Sequence, residues 1–236
     1  VTLASIVPAR DRCFPVDEAF VPMLPDAGLV RGRVVGCSGP AAMSLALALS
    51  ARAVVAGSWL AVVGVPMLGV ESVVEFGVPL SRLVAIDTDG RPATWAERVG
   101  VAAEGFDLIL TRPPAGAERV VRKVRQRLQA RGVVLVAVGP SSPGVSCDLE
   151  FTTTAVEWAG LGQGHGALLG RRAMVRVAGR RVPRAVEREL WLPGPSGCVA
   201  VVDRPDVGHR DGAGRDHDHE HGVPVDGSFG ELSRAG

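Results

Sequence analysis

The chain has 236 residues, 47% of them apolar, and a formal net charge of +1. That length suits one α/β domain of about 200 residues plus a tail, and the near-neutral charge excludes a partner chosen by bulk electrostatics alone. Cys13, Cys37, Cys147 and Cys198 form no C-x-x-C pair; with no signal-peptide pattern, reduced thiols and a cytoplasmic location are expected.

Residues 1–26 read as a proline-punctuated lead-in with Phe14 and Phe20, residues 27–200 as the core domain and residues 201–236 as a tail. The core opens on a strand from Arg33 to Cys37 and a turn at Ser38-Gly39-Pro40. The helix that follows, AAMSLALALSARAVVAG, must be buried because it has no polar face to give to water. Next come a strand in SWLAVVGV, a helix in GVESVVEFG closed by Gly77, a strand in SRLVAID and a helix in RPATWAERVGVAAEG. FDLILTR makes a fourth strand and VVLVAVG a fifth. Between them AGAERVVRKVRQRLQARG forms an amphipathic helix with Val120, Val121, Val124 and Leu128 as its apolar stripe. This alternation predicts an α/β fold with a mostly parallel sheet and helices on both faces.

From Cys147 the pattern changes. DLEFTTTAVEWAG and ALLGRRAMVRVAG alternate as an antiparallel hairpin across the Gly-rich GLGQGHG turn. VERELWLPGP ends the core. From Asp203 the composition turns to Gly, Asp and four of the five histidines, which predicts a disordered tail.

Between Val34 and Val70 the only charge is Arg52, so two uncharged runs of 18 residues flank it. A membrane hairpin is the rival reading. Gly36, Gly39 and Pro40 interrupt the first run, and Gly64 and Pro66 the second, which favours the buried strands and helix of a soluble fold and no membrane.

A phosphate-binding loop would sit in the strand–turn–helix from Val34 to Leu49. Such a loop, G-x-x-x-x-G-K-[ST], holds phosphates with backbone N–H groups and a lysine, and Mg²⁺ with a hydroxyl. In the frame that starts at Gly36, Ser38 and Gly39 fall inside the loop. Ala41 replaces the second glycine, Ala42 the lysine and Met43 the hydroxyl, and Ser44 comes one residue late. No Lys or Arg lies between Arg33 and Arg52 to rescue another register. The loop reads as vestigial: no nucleotide, cofactor or catalytic residue is expected.

The stretches DEAFVPMLPDAGLVRGRVVGCSGPAAMSLALAL, SRLVAIDTDGRPATWAERVGVAAEGFDLILTRPP, RGVVLVAVG and EWAGLGQGHGALLGRRAMVRVAG occur in an order that resembles the core of RecA recombinases, from Val16 to Gly179. Within that superfamily, SWLAVVGVP, W-GLG-GHG, GRRA and LWLPGP are similar to the actinobacterial ImuA-prime family, RecA-like accessory proteins of a mutagenic translesion-synthesis complex. The resemblance implies a RecA-like sheet and a role in DNA repair, mutagenesis and the SOS response to DNA damage. It implies two partners: ImuB, an inactive Y-family polymerase homologue, and an error-prone replicative-type polymerase. It also implies further losses of ATPase chemistry. Pro66 and Met67 stand near the place of the catalytic Glu. Thr111 and Arg112 end the strand that would carry a Walker-B Asp, while Asp107 sits at its beginning. An atypical DNA-dependent ATPase and a RecA-fold inhibitor of cell division are the competing readings.

Arg171, Arg172 and Arg176 are candidates for weak single-stranded DNA contact. Glu187 and Glu189 dilute them, and no aromatic is interleaved for base stacking. Lysine occurs once, at Lys123, and tyrosine not at all; this bias fits GC-rich DNA and makes Arg runs weak evidence. Trp191, with Leu192 and Pro193, is the candidate partner anchor, since Trp is enriched at interface hot spots. Trp59 and Trp95 read as packing residues. His165 has no partner residue nearby in sequence and reads as a loop histidine. His217, His219 and His221 in RDHDHEH lack the spacing of a structural zinc site, so no metal is assigned.

Overall fold

The computed structural model describes residues 12–139, 146–161 and 165–202. In chain order the elements begin with β1 (Cys13–Pro15), β2 (Gly28–Val30), β3 (Val34–Ser38), α1 (Ala42–Val55), β4 (Leu60–Val63) and α2 (Val70–Glu75). There follow β5 (Leu83–Ile86), α3 (Pro92–Ala102), β6 (Leu108–Thr111), α4 (Glu118–Arg131) and β7 (Val134–Val138). The last are β8 (Leu149–Leu161), β9 (Gly166–Gly179), β10 (Val186–Trp191) and β11 (Ala200–Val201). Nine strands form one sheet in the order β11-β10-β9-β8-β3-β7-β6-β4-β5. Pairing is parallel from β8 through β5 and antiparallel from β8 through β11. The predicted fold class is observed.

Side chains alternate across a strand, and here the alternation divides one strand between two cores. In β4, Leu60 and Val62 face the core under α1, whereas Ala61 and Val63 face the core under α3 and α4. β6 and β7 do the same: Leu110 and Val136 go to the first core, Ile109 and Leu135 to the second. That is why these strands read as continuous apolar runs. The charge-poor helix α1 is buried over most of its length, and its Ser50 hydroxyl donates to the Ala46 carbonyl at 2.8 Å, which satisfies the one hydroxyl fully inside. The uncharged runs are therefore core strands and a 14-residue helix, and no described helix is long and apolar enough to cross a membrane.

The α1 core extends under the antiparallel strands, and the lead-in covers it there. Phe14, Val16, Phe20, Met23 and Leu24 are buried in this core, and Phe20 meets Phe151 of β8 edge-to-face with centroids 6.2 Å apart. The lead-in also pairs with the core through the short ribbon β1–β2, which the sequence pattern does not announce. Val201, which composition alone places in the tail, lies in β11 against β10.

A buried carboxylate pins β3, β8 and α4 together. Asp148 accepts the Val34 N–H at 2.9 Å, Arg33 at 3.3 Å and Arg125 at 2.5 Å. Burying this charge is tolerable because every partner is a donor.

Candidate functional site

The end of β3 is where the vestigial loop falls, and its geometry is unlike a phosphate cradle. Gly36 and Ser38 belong to β3, while Ala42, Met43 and Ser44 belong to α1. Only Gly39, Pro40 and Ala41 remain to make the turn. Pro40 has no N–H, Ala41 N–H donates to Thr153 Oγ1 at 3.0 Å, and the next N–H, that of Ala42, donates to the Gly39 carbonyl at 3.2 Å. Thr153 Oγ1 in turn donates to the Ser38 carbonyl at 3.2 Å, and the Ser38 and Thr152 hydroxyls lie 3.0 Å apart. Gly39, at φ +92°, lies so close to β8 that a Cβ there would meet the Thr153 carbonyl oxygen at 2.0 Å. β8 thus closes the turn from the side.

The neighbouring strand ends are equally committed. Thr111, at the end of β6, is fully buried; its hydroxyl accepts the Trp95 indole N–H at 2.8 Å and donates to the Val63 carbonyl at 2.7 Å. A neutral knot joining β4, β6 and α3 thus stands where a metal-binding carboxylate would be needed. Met67, after β4, is 92% exposed, and Asp107 at the opposite end of β6 accepts the Trp59 N–H at 2.9 Å.

The structure brings one cation to the turn that sequence spacing hides. Arg171 of β9 donates to the Ser44 hydroxyl at 2.5 Å and to the Leu192 carbonyl at 2.8 Å, and its guanidinium lies 5.0 Å from the Trp158 ring. Burial pushes the Arg171 pKa down, and Glu75 opposes that shift. Arg171 is a strut between hairpin and helix rather than a free phosphate clamp. Arg172 pairs with Glu157 at 2.9 Å and Arg176 with Glu187 at 3.4 Å. All three candidate DNA arginines are engaged within the fold.

The proposed anchor is also partly committed. Trp191 is half-buried, under Arg172 at 5.9 Å, and Leu192 and Pro193 are buried, so those two side chains are not available to a partner surface. Trp95 is fully buried, as a packing residue should be. Trp59 packs edge-to-face with Phe106 and beneath Arg82 but keeps 42% of its surface exposed. His165 is exposed just ahead of β9. Residues 203–236, with His217, His219 and His221, lie outside the described residues, and among those described no group of His, Cys, Asp or Glu is arranged to hold a metal. Cys37 is deeply buried, which pushes its thiol pKa far up; burial raises that of Cys147 to about 11.

Sequence reasoning missed the exposed apolar surface at the distal hairpin. Trp158, Leu161, Leu168 and Leu169 are each between 43% and 60% exposed there. Alternation signals a strand but not which face goes uncovered, and that was the missing information. A groove beside edge strand β5 is lined by Leu83 and Ala85 together with the exposed Leu80 and Val70.

The fold and site define an α/β protein whose loop-bearing strand ends in a closed turn. Residues 22–144 match the family described as the MT3502 N-terminal domain, and the chain belongs to that family. It is similar to the uncharacterized protein Rv3395c of Mycobacterium tuberculosis, with 33% identity over 152 residues that cover 59% of this chain and 71% of the relative.

Proposed function

We propose that this chain is a non-catalytic RecA-like accessory protein of the ImuA-prime kind, which helps assemble or regulate an error-prone polymerase complex in the response to DNA damage. Its partners in this reading are an ImuB-like inactive Y-family polymerase homologue and an error-prone replicative-type polymerase. The observation that carries the non-catalytic part is the closed turn after β3, whose Ala41 N–H is already spent on Thr153. The neutral Thr111 knot supports it, because neither end of a Mg-triphosphate would find its counter-charge. The exposed apolar side chains gathered at the tip of the hairpin support a binding role, since large apolar groups left in water at one end of a domain mark contact with other molecules.

Arg171 beside Ser44 favours a second reading, an atypical ATPase that borrows its cation from β9. Calorimetric titration with Mg-ATP and phosphate release with single-stranded DNA separate the two. Absence of binding and turnover is expected. Low-micromolar binding that Arg171→Gln abolishes would establish the ATPase instead. For the partners, the chain is purified under mild conditions from DNA-damaged cells: polymerase subunits should accompany it, and division proteins in their place would make it a division inhibitor.

A further inference from the structure

The outward face of α4 carries a run of exposed cations and takes no part in the turn or the hairpin. The helix buries Val124 and Leu128 and half-buries Val120 and Val121. Opposite them, Arg119, Arg122, Lys123 and Gln126 are exposed at spacings of three and four residues, which stacks them in one stripe. The other cations of the helix have partners: Arg125 pairs with Asp148, and Arg127 and Arg131 with Glu104. Arg119, Arg122 and Lys123 make no ion pair among the described residues. Glu118, the helix's single acid, lies on the flank of its first turn, and Glu97 lies across the groove that Lys123 and Arg127 line.

We propose that this stripe binds the sugar-phosphate backbone of a nucleic acid. From Arg119 to Lys123 the helix rises roughly 6 Å, about two steps of a strand that presents one phosphate per about 3.4 Å of duplex axis. The three unpaired cations therefore face about three consecutive phosphates. Gln126 and Gln129 beside them are exposed hydrogen-bond donors. The stripe has no exposed large apolar side chain, so it lacks the anchor of a protein hot spot and the wedge of a membrane-inserting helix. Contacts of this kind position a backbone without reading its sequence.

The test uses the full chain and fluorescein-labelled 30-mers of mixed sequence, as single-stranded DNA, duplex DNA and RNA, followed by anisotropy at several salt concentrations. Binding should weaken linearly in log K against log salt, with little sequence preference. A slope near −2 would favour a single strand and one near −3 a duplex, at about −0.7 and −0.9 per phosphate for three phosphates. Arg119→Gln, Arg122→Gln and Lys123→Gln together should weaken binding at least tenfold at low salt and flatten the slope. Arg172→Gln with Arg176→Gln should change it less than twofold. The side chains are exposed, and an unchanged melting curve will confirm that the triple variant is folded. No binding at tens of micromolar protein in low salt, or equal binding by the folded triple variant, overturns the proposal. Binding of polyglutamate without binding of any oligonucleotide also overturns it and makes the stripe a surface for acidic protein.

Discussion

In β4, β6 and β7 every residue is buried, whereas in β8 burial ends at Thr153 and the residues from there to Leu161 are half-buried or exposed. The change falls at an irregularity between Thr153 and Val156, where β8 and β9 slip register. Up to that point the hairpin completes the α1 core; past it, Val156, Ala173 and Arg171 keep it in touch with α1 and the β10 end, while Leu161, Leu168 and Leu169 at its tip are left exposed. The parallel strands β4, β6 and β7 are buried along their whole length, and the antiparallel arm, buried at its base, has surface left at its tip for other molecules. The family match stops at residue 144, before the arm begins.

If this division is right, the largest effect on stability comes from the parallel half. Trp95 is fully buried between α3 and the sheet, and its indole N–H is the donor to Thr111. Trp95→Ala should cost about 3–5 kcal/mol, through lost burial and the cavity left behind. Urea unfolding followed by circular dichroism measures it; a cost below about 1 kcal/mol would mean the second core is loosely packed. Asp148→Ala should come next, at about 3 kcal/mol, because Arg33, Arg125 and the Val34 N–H lose their shared acceptor. The same urea titration applies, and a neutral result would show that β3 and β8 hold their register without it.

The parallel half is also what the sequence makes legible. Short runs such as LAVV and LILT between helical patterns leave little choice but buried parallel strands, and α4 shows its apolar stripe at the right spacing. Gly132 even marks where α4 stops, with φ at +69° and the Val133 N–H returning to the Leu128 carbonyl. The missing loop chemistry at Ala42 and Met43 reads directly from the chain. The closure by Thr153 does not, because it joins residues more than a hundred positions apart, and the same holds for Arg171 on Ser44. The lead-in misleads for another reason: its prolines suggest a loop, yet Phe14 and Phe20 are core residues because the sheet's antiparallel side has no helix of its own.

The seal between the halves is the third target. Thr153→Val keeps the shape but removes the acceptor of the Ala41 N–H, leaving a buried donor unsatisfied. A loss of about 1–3 kcal/mol is expected, read as a lower urea midpoint at unchanged slope. Mg-ATP titration of the same variant should stay flat, because opening the turn restores neither lysine nor hydroxyl. Heat of binding in Thr153→Val would show instead that the closed turn is a removable latch over a working site.

The smallest effect on stability should come from the arm's tip, and there the effect on function should be largest. Leu161 and Leu168 are 60% and 56% exposed, so Leu161→Ser with Leu168→Ser should move the unfolding free energy by no more than about 0.5 kcal/mol. If the tip is the docking surface, the same double variant weakens capture of the partner at least tenfold, about 1.4 kcal/mol. Trp191→Ala is the contrast. Trp191 is half-buried under Arg172 and is followed by the buried Leu192 and Pro193, so its loss lowers stability and binding together. Pull-down titration of both variants against the co-purified partner, with thermal melts alongside, separates the two effects. Full affinity in the tip variant, with affinity lost in a Trp191→Ala protein that remains folded, would move the anchor from the tip to the β10 end and leave the exposed leucines without a role in docking.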